Sequence, residues 1–284
     1  MRRIKLVIPK GRIHDGVVRL LAEAGFTLRE NDRHYVPQVN DPELQVKIMK
    51  PQNIAQLVEL GSHDCGFTGL DWIVETGAQV EEVIDLGLDP VSIVAAVPAA
   101  MKKTELRRRR IVVASEYERI SRQFLEEQGY NFILLRTYGA TEAFPPEDAD
   151  MIIDNTASGQ TLRQHGLRVV ATIMQSSTRF IANPQALRDE RKREKIEELA
   201  TLFEAVRNAR ERVMLEMNVP AEKLEAVVRL LPCMRAPTVA QLYGEQGYAV
   251  KAAVRRSETI RLIPMLKKLG ATDILEYEFR KVIV

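Results

Sequence analysis

The chain has 284 residues, of which 45% are hydrophobic and 28% charged, so it is long enough to bury a substantial core in two or three domains. Its formal net charge of +2 gives no general attraction to nucleic acid. The two cysteines and four histidines lack metal-ligand spacing, and no apolar run has the length of a membrane span or a signal peptide, so we expect a cytoplasmic protein with reduced thiols.

The first third of the chain alternates apolar strands with amphipathic helices. The predicted elements, in order, are a strand at 2–11, a helix at 15–25, a strand at 44–50, a helix at 51–61, a strand at 65–69 and a helix at 70–77. Pro9 stops the first strand, and Pro51 opens the second helix in the first-turn position where proline is tolerated. This order predicts a mainly parallel sheet flanked by helices.

The middle of the chain repeats the same alternation. A strand at 91–98 precedes a new βαβ unit, and two more strands follow a short helix. The unit and its successors are a strand at 107–115, a helix at 116–129, a strand at 132–137, a strand at 150–154, a helix at 159–166 and two strands within 167–183. We interpret residues 91–175 as a second lobe inserted into a first lobe made of 1–90 and 176–210.

The last part of the chain has a different pattern. A long helix over 189–209 begins with an Arg, Lys and Glu run that we interpret as a solvated face. After it, 212–218 alternates at period two, Pro220 opens a helix, and two strands flank a Gly-Glu-Gln-Gly turn. A helix capped by Ser257 and a final strand complete the order β-α-β-β-α-β. The pattern predicts a small ferredoxin-like domain over 211–284.

The stretch "DNTASGQTL" at 154–162 contains a carboxylate at a predicted strand end, followed by hydroxyls and a glycine. Such a turn offers a phosphate several backbone N–H donors and the start of a helix, and Gly159 lets the backbone approach without a Cβ. Thr156, Ser158 and Thr161 add hydroxyl donors, and Asp154 can accept hydrogen bonds from ribose hydroxyls. The alternative is an ordinary helix start with Ser158 as N-cap.

Three further strand ends have groups that suit a phosphorylated sugar. Lys10 and Arg12 follow the first strand, where open α/β sheets bind ligands, and Lys50 ends the second. Gly69 ends another strand, and Asp71 lies in the first turn of the next helix. Taken singly, these are surface cations and a capped βα turn. In a two-lobed α/β protein, however, four such strand ends can face one cleft.

Several motifs together resemble the long form of ATP phosphoribosyltransferase, the first enzyme of histidine biosynthesis. The segments are "IPKGRI", "KPQNIAQLVELGSHDCGFTGLDWI", "ASEY", "DADMIIDNTASGQTL", "RAPTVAQLY" and "LGATDILEYEF". They stand in the family's order and approximate spacing across essentially the whole chain, and the segment 150–162 is the most specific.

The resemblance implies a two-lobed catalytic body like a periplasmic binding protein, with an α/β fold, and a C-terminal regulatory domain. It implies transfer of the phosphoribosyl group of phosphoribosyl pyrophosphate to N1 of ATP, with release of magnesium pyrophosphate. Cations and Mg²⁺ must neutralise the leaving pyrophosphate, and the candidates are Lys10, Arg12 and Lys50. The substrate-binding residues that the resemblance implies are Gly69, Asp71, Tyr117, Glu142, Asp154, Thr156, Ala157, Ser158, Gly159 and Thr161.

The resemblance also implies feedback inhibition by L-histidine, bound between the C-terminal domains of a homo-oligomer, from a dimer to a hexamer. The contacts carried across by position are Asn218, Met234, Thr238 and Asp273. A dimerisation domain without a ligand is the alternative reading of this region.

The chain departs from the family pattern at a few positions. Glu147 stands near the loop where a glycine is usual, in a segment one residue shorter. Lys50 and Asn53 replace a common arginine and aspartate, and Glu118 replaces a proline. A second hypothesis is therefore a non-catalytic, small-anion-binding regulatory module of the same fold. Nucleic-acid binding through the arginines at 107–110 is a third, which the near-neutral charge disfavours.

Overall fold

We describe the protein from a computed structural model, which describes residues 3–29, 35–244 and 246–284. The strands are β1 (Ile4–Pro9), β2 (Leu28–Arg29), β3 (Gln38–Val39), β4 (Leu44–Met49), β5 (Cys65–Gly69), β6 (Glu81–Asp85), β7 (Val91–Pro98), β8 (Ile111–Ser115), β9 (Phe132–Arg136), β10 (Met151–Thr156), β11 (Leu167–Ser176), β12 (Thr178–Ala182), β13 (Arg212–Pro220), β14 (Thr238–Gln241), β15 (Gly247–Arg255) and β16 (Thr272–Glu278). The α-helices are α1 (His14–Ala24), α2 (Pro51–Glu59), α3 (Leu70–Thr76), α4 (Lys103–Leu106), α5 (Glu118–Glu127), α6 (Gln160–Gln164), α7 (Glu190–Glu211), α8 (Leu224–Leu230) and α9 (Arg256–Lys268).

Lobe I is built on a five-stranded sheet of order β4-β1-β5-β12-β6. Strands β4, β1 and β5 are parallel, whereas β12 runs antiparallel to both of its neighbours. The prediction of a mainly parallel sheet is therefore right for the βαβ half only. Leu6, Val7 and Ile8 are all fully buried, because β1 is covered on both faces and so needs a continuous apolar run.

Lobe II is a second five-stranded sheet, of order β11-β7-β10-β8-β9. β10, β8 and β9 are parallel, and β7 pairs antiparallel with both β10 and β11. Its core contains the fully buried Ile93, Val113 and Ile153. Trp72 of α3, a lobe I helix, also packs in this core, so the helix joins the two lobes.

The chain passes between the lobes twice, from β6 to β7 and from β11 to β12. The second crossing is short, because only Ser177 separates the two strands. Two sheets of mixed direction joined in this way form the two-lobed body of a periplasmic binding protein, which confirms the predicted fold class. The first turns of α7 are tied to lobe I, where Lys192 Nζ lies 2.6 Å from Asp64 Oδ1.

The residues from Thr201 onward form a compact unit together with 23–25. Its four-stranded antiparallel sheet has the order β14-β15-β13-β16 and carries α8 and α9, which confirms the predicted β-α-β-β-α-β order. Helix α7 continues through the start of this unit to Glu211, and the domain boundary at 211 stays a prediction. The helix cap predicted at Ser257 is wrong: α9 already begins at Arg256, and no side chain caps it. Among the described residues, no helix is long and apolar enough to cross a membrane.

Candidate active site

Three cavities lie side by side in the cleft between lobes I and II. The largest is about 450 Å³ and lies between α2 and α3 of lobe I and the ends of β8 and β9 of lobe II. The second, of about 150 Å³, shares Gln52, Trp72 and Glu116 with the first. The third, of about 340 Å³, shares Arg12 and Asn155 with the second. The shared lining residues make the three cavities one continuous cleft.

The predicted phosphate loop lines the third cavity, together with Glu142. β10 runs through to Thr156, and the loop then turns into α6 through Gly159, whose φ is +70°. Thr156 Oγ1 accepts the Gly159 N–H at 3.0 Å, which closes the turn. In the described part of the chain no acceptor engages the backbone N–H groups of Ala157 and Ser158, so both donors are available to an anion.

Helix α6 is shorter than the predicted 159–166, since it spans only Gln160–Gln164. From the sequence, we expect the helix dipole to add to the loop donors. A helix of little more than one turn has a small dipole, so the backbone N–H groups of the loop itself are the main donors. Gly159 rather than Ser158 occupies the N-cap position, although the Ser158 hydroxyl lies 3.4 Å from the Gln160 nitrogen.

Asp154 begins the loop and faces the same cavity. Burial raises its pKa to about 6; the Asn155 backbone N–H and the Thr141 hydroxyl oppose this shift, while the nearby Glu116 and Glu142 carboxylates add to it. Asp154 Oδ1 accepts the Asn155 N–H at 2.7 Å. An incompletely hydrated carboxylate that keeps free lone pairs is suited to accept sugar hydroxyls.

Asp71, in the first turn of α3, is a buried junction between the lobes. Its Oδ2 accepts the hydroxyl of Tyr117 from lobe II at 2.7 Å, and its Oδ1 accepts the hydroxyl of Ser176 at 2.6 Å. Asn155 Nδ2 donates to the Tyr117 oxygen at 3.1 Å. Burial, and then Asp71, raise the pKa of Tyr117, so the phenol remains protonated and acts as a donor. Tyr117 and Asp71 are hydrogen-bonded to each other, and both line the second cavity.

The three predicted cations lie at the ends of β1 and β4 but in different environments. Arg12 lines the second and third cavities, with Nη1 3.8 Å from Asp89 Oδ1. Lys50 lines the largest cavity. The Lys10 N–H bonds to the Met49 oxygen, beside Lys50, but its ammonium group lies over the Tyr35 ring and lines none of the three cavities. The cleft therefore brings Arg12 and Lys50 to its surface and leaves Lys10 at its margin.

Comparison with known proteins gives a family for the chain. Residues 50–205 match the family described as HisG: ATP phosphoribosyltransferase, and residues 209–281 match HisG, C-terminal domain. The ATP phosphoribosyltransferase of Chlorobium phaeovibrioides is 41% identical over 99% of this chain and 98% of its own length, and that of Pelotomaculum thermopropionicum is 40% identical over 99% of both. The chain belongs to the ATP phosphoribosyltransferase family.

A solved structure supports the fold. The ATP phosphoribosyl transferase (HisG:HisZ) complex from Thermotoga maritima matches with a TM-score of 0.63 at 22% identity, over 71% of this chain and 98% of that chain. Family membership confirms the predicted enzyme class and reaction, which is the first step of histidine biosynthesis, and the C-terminal domain confirms the long form with its regulatory module.

Sequence reasoning missed most of the lining of the largest cavity in this ATP phosphoribosyltransferase. Gln52, Glu116, Arg136 and Tyr138 line it, and none of them was predicted. Arg136 and Tyr138 follow β9, so the rule that ligands bind at the carboxyl ends of strands could have identified them. Gly69 lines the second cavity as predicted. Glu147, the departure from the family pattern, is exposed and does not line the loop cavity.

The four histidine contacts implied by the family fall into two groups in the C-terminal domain. Asn218 Nδ2 donates to Asp273 Oδ2 at 3.0 Å on the β13–β16 side. Thr238 lies on β14, the opposite outer strand, and the Met234 N–H bonds to the Ala253 oxygen nearby. Three strand spacings of about 4.8 Å separate β14 from β16, or about 14 Å in all. Thr238 and Asp273 therefore lie on the opposite edge strands of one domain's sheet.

Proposed function

We propose that the interlobe cleft is the site of phosphoribosyl transfer, with phosphoribosyl pyrophosphate in the loop cavity. The observation that carries this assignment is the loop itself, where free N–H groups of Ala157 and Ser158 lie beside the Asp154 carboxylate in a cavity of about 340 Å³. The N–H groups and the Thr161 hydroxyl suit the 5-phosphate, and Asp154 suits the ribose hydroxyls.

The leaving pyrophosphate requires positive charge where the C1–O bond breaks. N1 of adenine attacks C1 of the ribose, the C1–O bond breaks, and pyrophosphate departs with the electron pair. Arg12 lines the loop cavity and the second cavity, and Lys50 lines the largest cavity, which adjoins the second. These two cations would stabilise the charge that develops on the pyrophosphate. Lys10 would join them only if it left the ring of Tyr35.

The proposal includes Mg²⁺ bound to the pyrophosphate. Among the described residues there is no group of three metal-ligating side chains. Mg²⁺ commonly keeps its waters and binds through one or two carboxylates and substrate phosphates, so the side chains present are compatible with it. Asp154 and Glu142, both in the loop cavity, would hold it. When bound, the ion supplies neutralising charge to the leaving pyrophosphate.

ATP fits the largest cavity, of about 450 Å³. Arg136 stacks over the ring of Tyr138, with its guanidinium carbon 5.5 Å from the ring centroid, and Tyr138 is 86% exposed. An exposed ring and a guanidinium plane are surfaces on which a purine stacks. Lys50 in the same cavity offers charge to the triphosphate. This placement puts adenine on the lobe II rim, with the second cavity between it and the sugar site.

Histidine would bind between C-terminal domains of different copies of the chain. The separation between the Asn218–Asp273 pair and Thr238 supports this, because a ligand that contacts both groups needs a second copy. The proposal therefore includes a homo-oligomer. A cytoplasmic location is also proposed, since the thiols of Cys65 and Cys233 are free.

One assay tests the catalytic proposal. Protein, ATP, phosphoribosyl pyrophosphate and Mg²⁺ are mixed, and phosphoribosyl-ATP is followed by its ultraviolet absorbance. We expect product only when all components are present, and a raised KM for phosphoribosyl pyrophosphate in the Asp154→Ala variant. Turnover that survives in that variant with an unchanged KM would place the sugar elsewhere.

A titration tests the regulatory proposal. L-histidine is added while turnover and mass in solution are followed, in the intact protein and in Thr238→Ala. We expect inhibition that needs a higher histidine concentration in the variant, because the variant lacks the hydroxyl that would contact histidine, and a hydrogen bond contributes about 0.5–1.5 kcal/mol. If millimolar histidine neither binds nor slows the intact enzyme, the domain has no histidine sensor.

A further inference from the structure

The carboxylate of Glu75 crosses from lobe I to the first turn of a lobe II helix. Its Oε1 accepts the N–H groups of Glu118 and Arg119 at 2.7 and 3.0 Å, and its Oε2 accepts that of Ile120 at 3.0 Å. Glu75 lies in the last turn of α3, whereas all three donors belong to α5. One side chain thus satisfies three of the four free N–H groups that begin a helix.

Helix α5 depends on this contact because it has no cap of its own. The N-cap residue is Tyr117, whose side chain makes no capping hydrogen bond. Serine, threonine, aspartate or asparagine usually provides that acceptor. Here the acceptor carries a full negative charge at the positive end of the helix dipole. The cap of a lobe II helix is therefore a lobe I side chain.

A second contact between α3 and α5 lies next to the first. Gly77 ends α3 with φ +63°, and a Cβ at that position would overlap the Arg119 guanidinium. The glycine thus leaves the space that Arg119 needs to pack at the end of α3, next to Glu75.

The same two helices meet again at the floor of the cleft. Asp71, in the first turn of α3, accepts the Tyr117 hydroxyl, and Trp72 stacks on the Tyr117 ring with centroids 4.6 Å apart. Tyr117 is the residue immediately before the amides that Glu75 holds. α3 therefore contacts the start of α5 at two places. Asp71 and Trp72 contact the Tyr117 side chain, and Glu75 accepts the backbone N–H groups that follow it.

We propose that Glu75 is a positioning residue for phosphoribosyl transfer, because its carboxylate fixes α5 to α3 and so holds Tyr117 and the lobe II wall at a set distance from lobe I. This inference rests on the proposed function of the cleft. In lobe II, Tyr117 accepts a hydrogen bond from Asn155, next to Asp154. A displacement of α5 therefore moves the wall that carries the sugar site relative to Arg12 and Lys50.

The test is Glu75→Gln, with Glu118→Gln as the matched control. Glutamine keeps the size of the side chain but presents one acceptor oxygen and an NH₂ group, which cannot accept the Ile120 N–H. Glu118 is in the first turn of the same helix, and its exposed side chain pairs with Arg122 at 3.6 Å. We expect kcat of Glu75→Gln to fall about tenfold, and that of the control to change less than about twofold.

Two readouts are independent of catalysis, so the contact between Glu75 and α5 and the catalytic assignment can fail separately. Trp72 is the sole tryptophan of the chain, and its emission without substrate should change in Glu75→Gln but not in the control. Amide exchange at 118–120 should be about tenfold faster in the variant. Parent-like exchange, emission and kcat in Glu75→Gln would overturn the proposal. Changed exchange with parent kcat and KM would reduce Glu75 to a structural cap, which also overturns it.

The unmodified protein gives a decisive measurement if Glu75→Gln does not fold. Helix α2 has no side-chain cap either. The Glu116 carboxylate of lobe II contacts its first turn through Gln52 Nε2, at 3.4 Å, but among the described residues no carboxylate accepts a backbone N–H there. The amides of 118–120 should therefore exchange more slowly than that of Gln52 in the first turn of α2. Exchange as fast as at Gln52 means that Glu75 does not hold the helix, and the proposal fails without any variant.

Discussion

The two walls of the cleft are built in different ways. Lobe I presents long cationic side chains on strand ends, and the Arg12 side chain is 49% exposed with only a 3.8 Å pair to Asp89. Lobe II presents backbone N–H groups and a partly enclosed carboxylate, Asp154, on a loop closed by its own Thr156 hydroxyl. A rigid wall suits the ground-state sugar phosphate, whereas movable cations suit the charge that appears only as pyrophosphate leaves. Mutations in the two walls should therefore affect different kinetic constants.

The largest expected effect on kcat comes from the lobe I wall. Lys50→Met should lower kcat about 100-fold with a smaller change in the KM for phosphoribosyl pyrophosphate, because it removes charge that acts on the transition state. Lys47→Met is the matched control, since Lys47 is on β4, the strand that Lys50 directly follows, but lines a different cavity. Steady-state kinetics of both variants check this, and an effect confined to KM would contradict the division of roles.

The lobe II wall should act on binding. Asp154→Ala and Thr161→Ala should each raise the KM for phosphoribosyl pyrophosphate about 10- to 150-fold, because a charge-assisted hydrogen bond contributes about 1.5–3 kcal/mol. Asp148→Ala, an exposed acid before β10, serves as the control. Thermal unfolding measured alongside should show that the variants fold. If both site variants keep the parent KM, the loop is not part of the sugar site.

The shape of the loop itself can be tested by a pair of glycines with the same backbone conformation. Gly159 and Gly166, before and after α6, have φ of +70° and +68°. An alanine strains either position by about 1–2 kcal/mol. Gly159→Ala should raise the KM for phosphoribosyl pyrophosphate about tenfold, and Gly166→Ala should leave it unchanged. Equal changes in both would attribute the effect to α6 rather than to the loop.

The smallest effect concerns pH. Burial raises the pKa of Asp154 from 3.8 to about 6, so the protonated form favours the folded state. That contribution to the free energy of unfolding is complete below pH 3.8 and is lost as the pH rises through 6. Sugar binding requires the ionised form, so the KM for phosphoribosyl pyrophosphate should rise as the pH falls below 6.

Asp154→Asn separates this titration from that of the substrate phosphate, whose second pKa is also about 6. The variant should have a higher KM with a weaker dependence on pH. A pH dependence that is the same in parent and variant would assign the effect to the substrate alone.

The sequence predicted the order of elements well where apolar runs are long, as in β1 and β7, because burial on both faces leaves a clear pattern. It missed β6, whose segment "EEVID" has no buried residue and so lacks that pattern. The candidate loop residues were identifiable because the groups suited to bind a phosphate lie within one contiguous segment of the sequence. The contacts that join the lobes were not, since Asp71 and Tyr117 stand 46 residues apart and their pairing depends on packing.

The Glu147 departure illustrates another limit. Glu147 is close to the loop in sequence, which suggested an effect on the phosphate. Its side chain, however, is exposed and does not line the loop cavity. Sequence proximity does not give the direction of a side chain in a turn. The largest cavity was missed for a related reason, because its lining combines residues from two lobes.

The position of β12 has a consequence for synthesis on the ribosome. This strand fills the sheet of lobe I between β5 and β6, but it is made only after the whole of lobe II. Lobe II is one contiguous segment and can fold as soon as it emerges, while lobe I keeps two strands with unpaired edges until 178–182 appears. Lobe I, although its synthesis begins first, is therefore completed last. Its unpaired strands are the part of the nascent chain that most needs a chaperone.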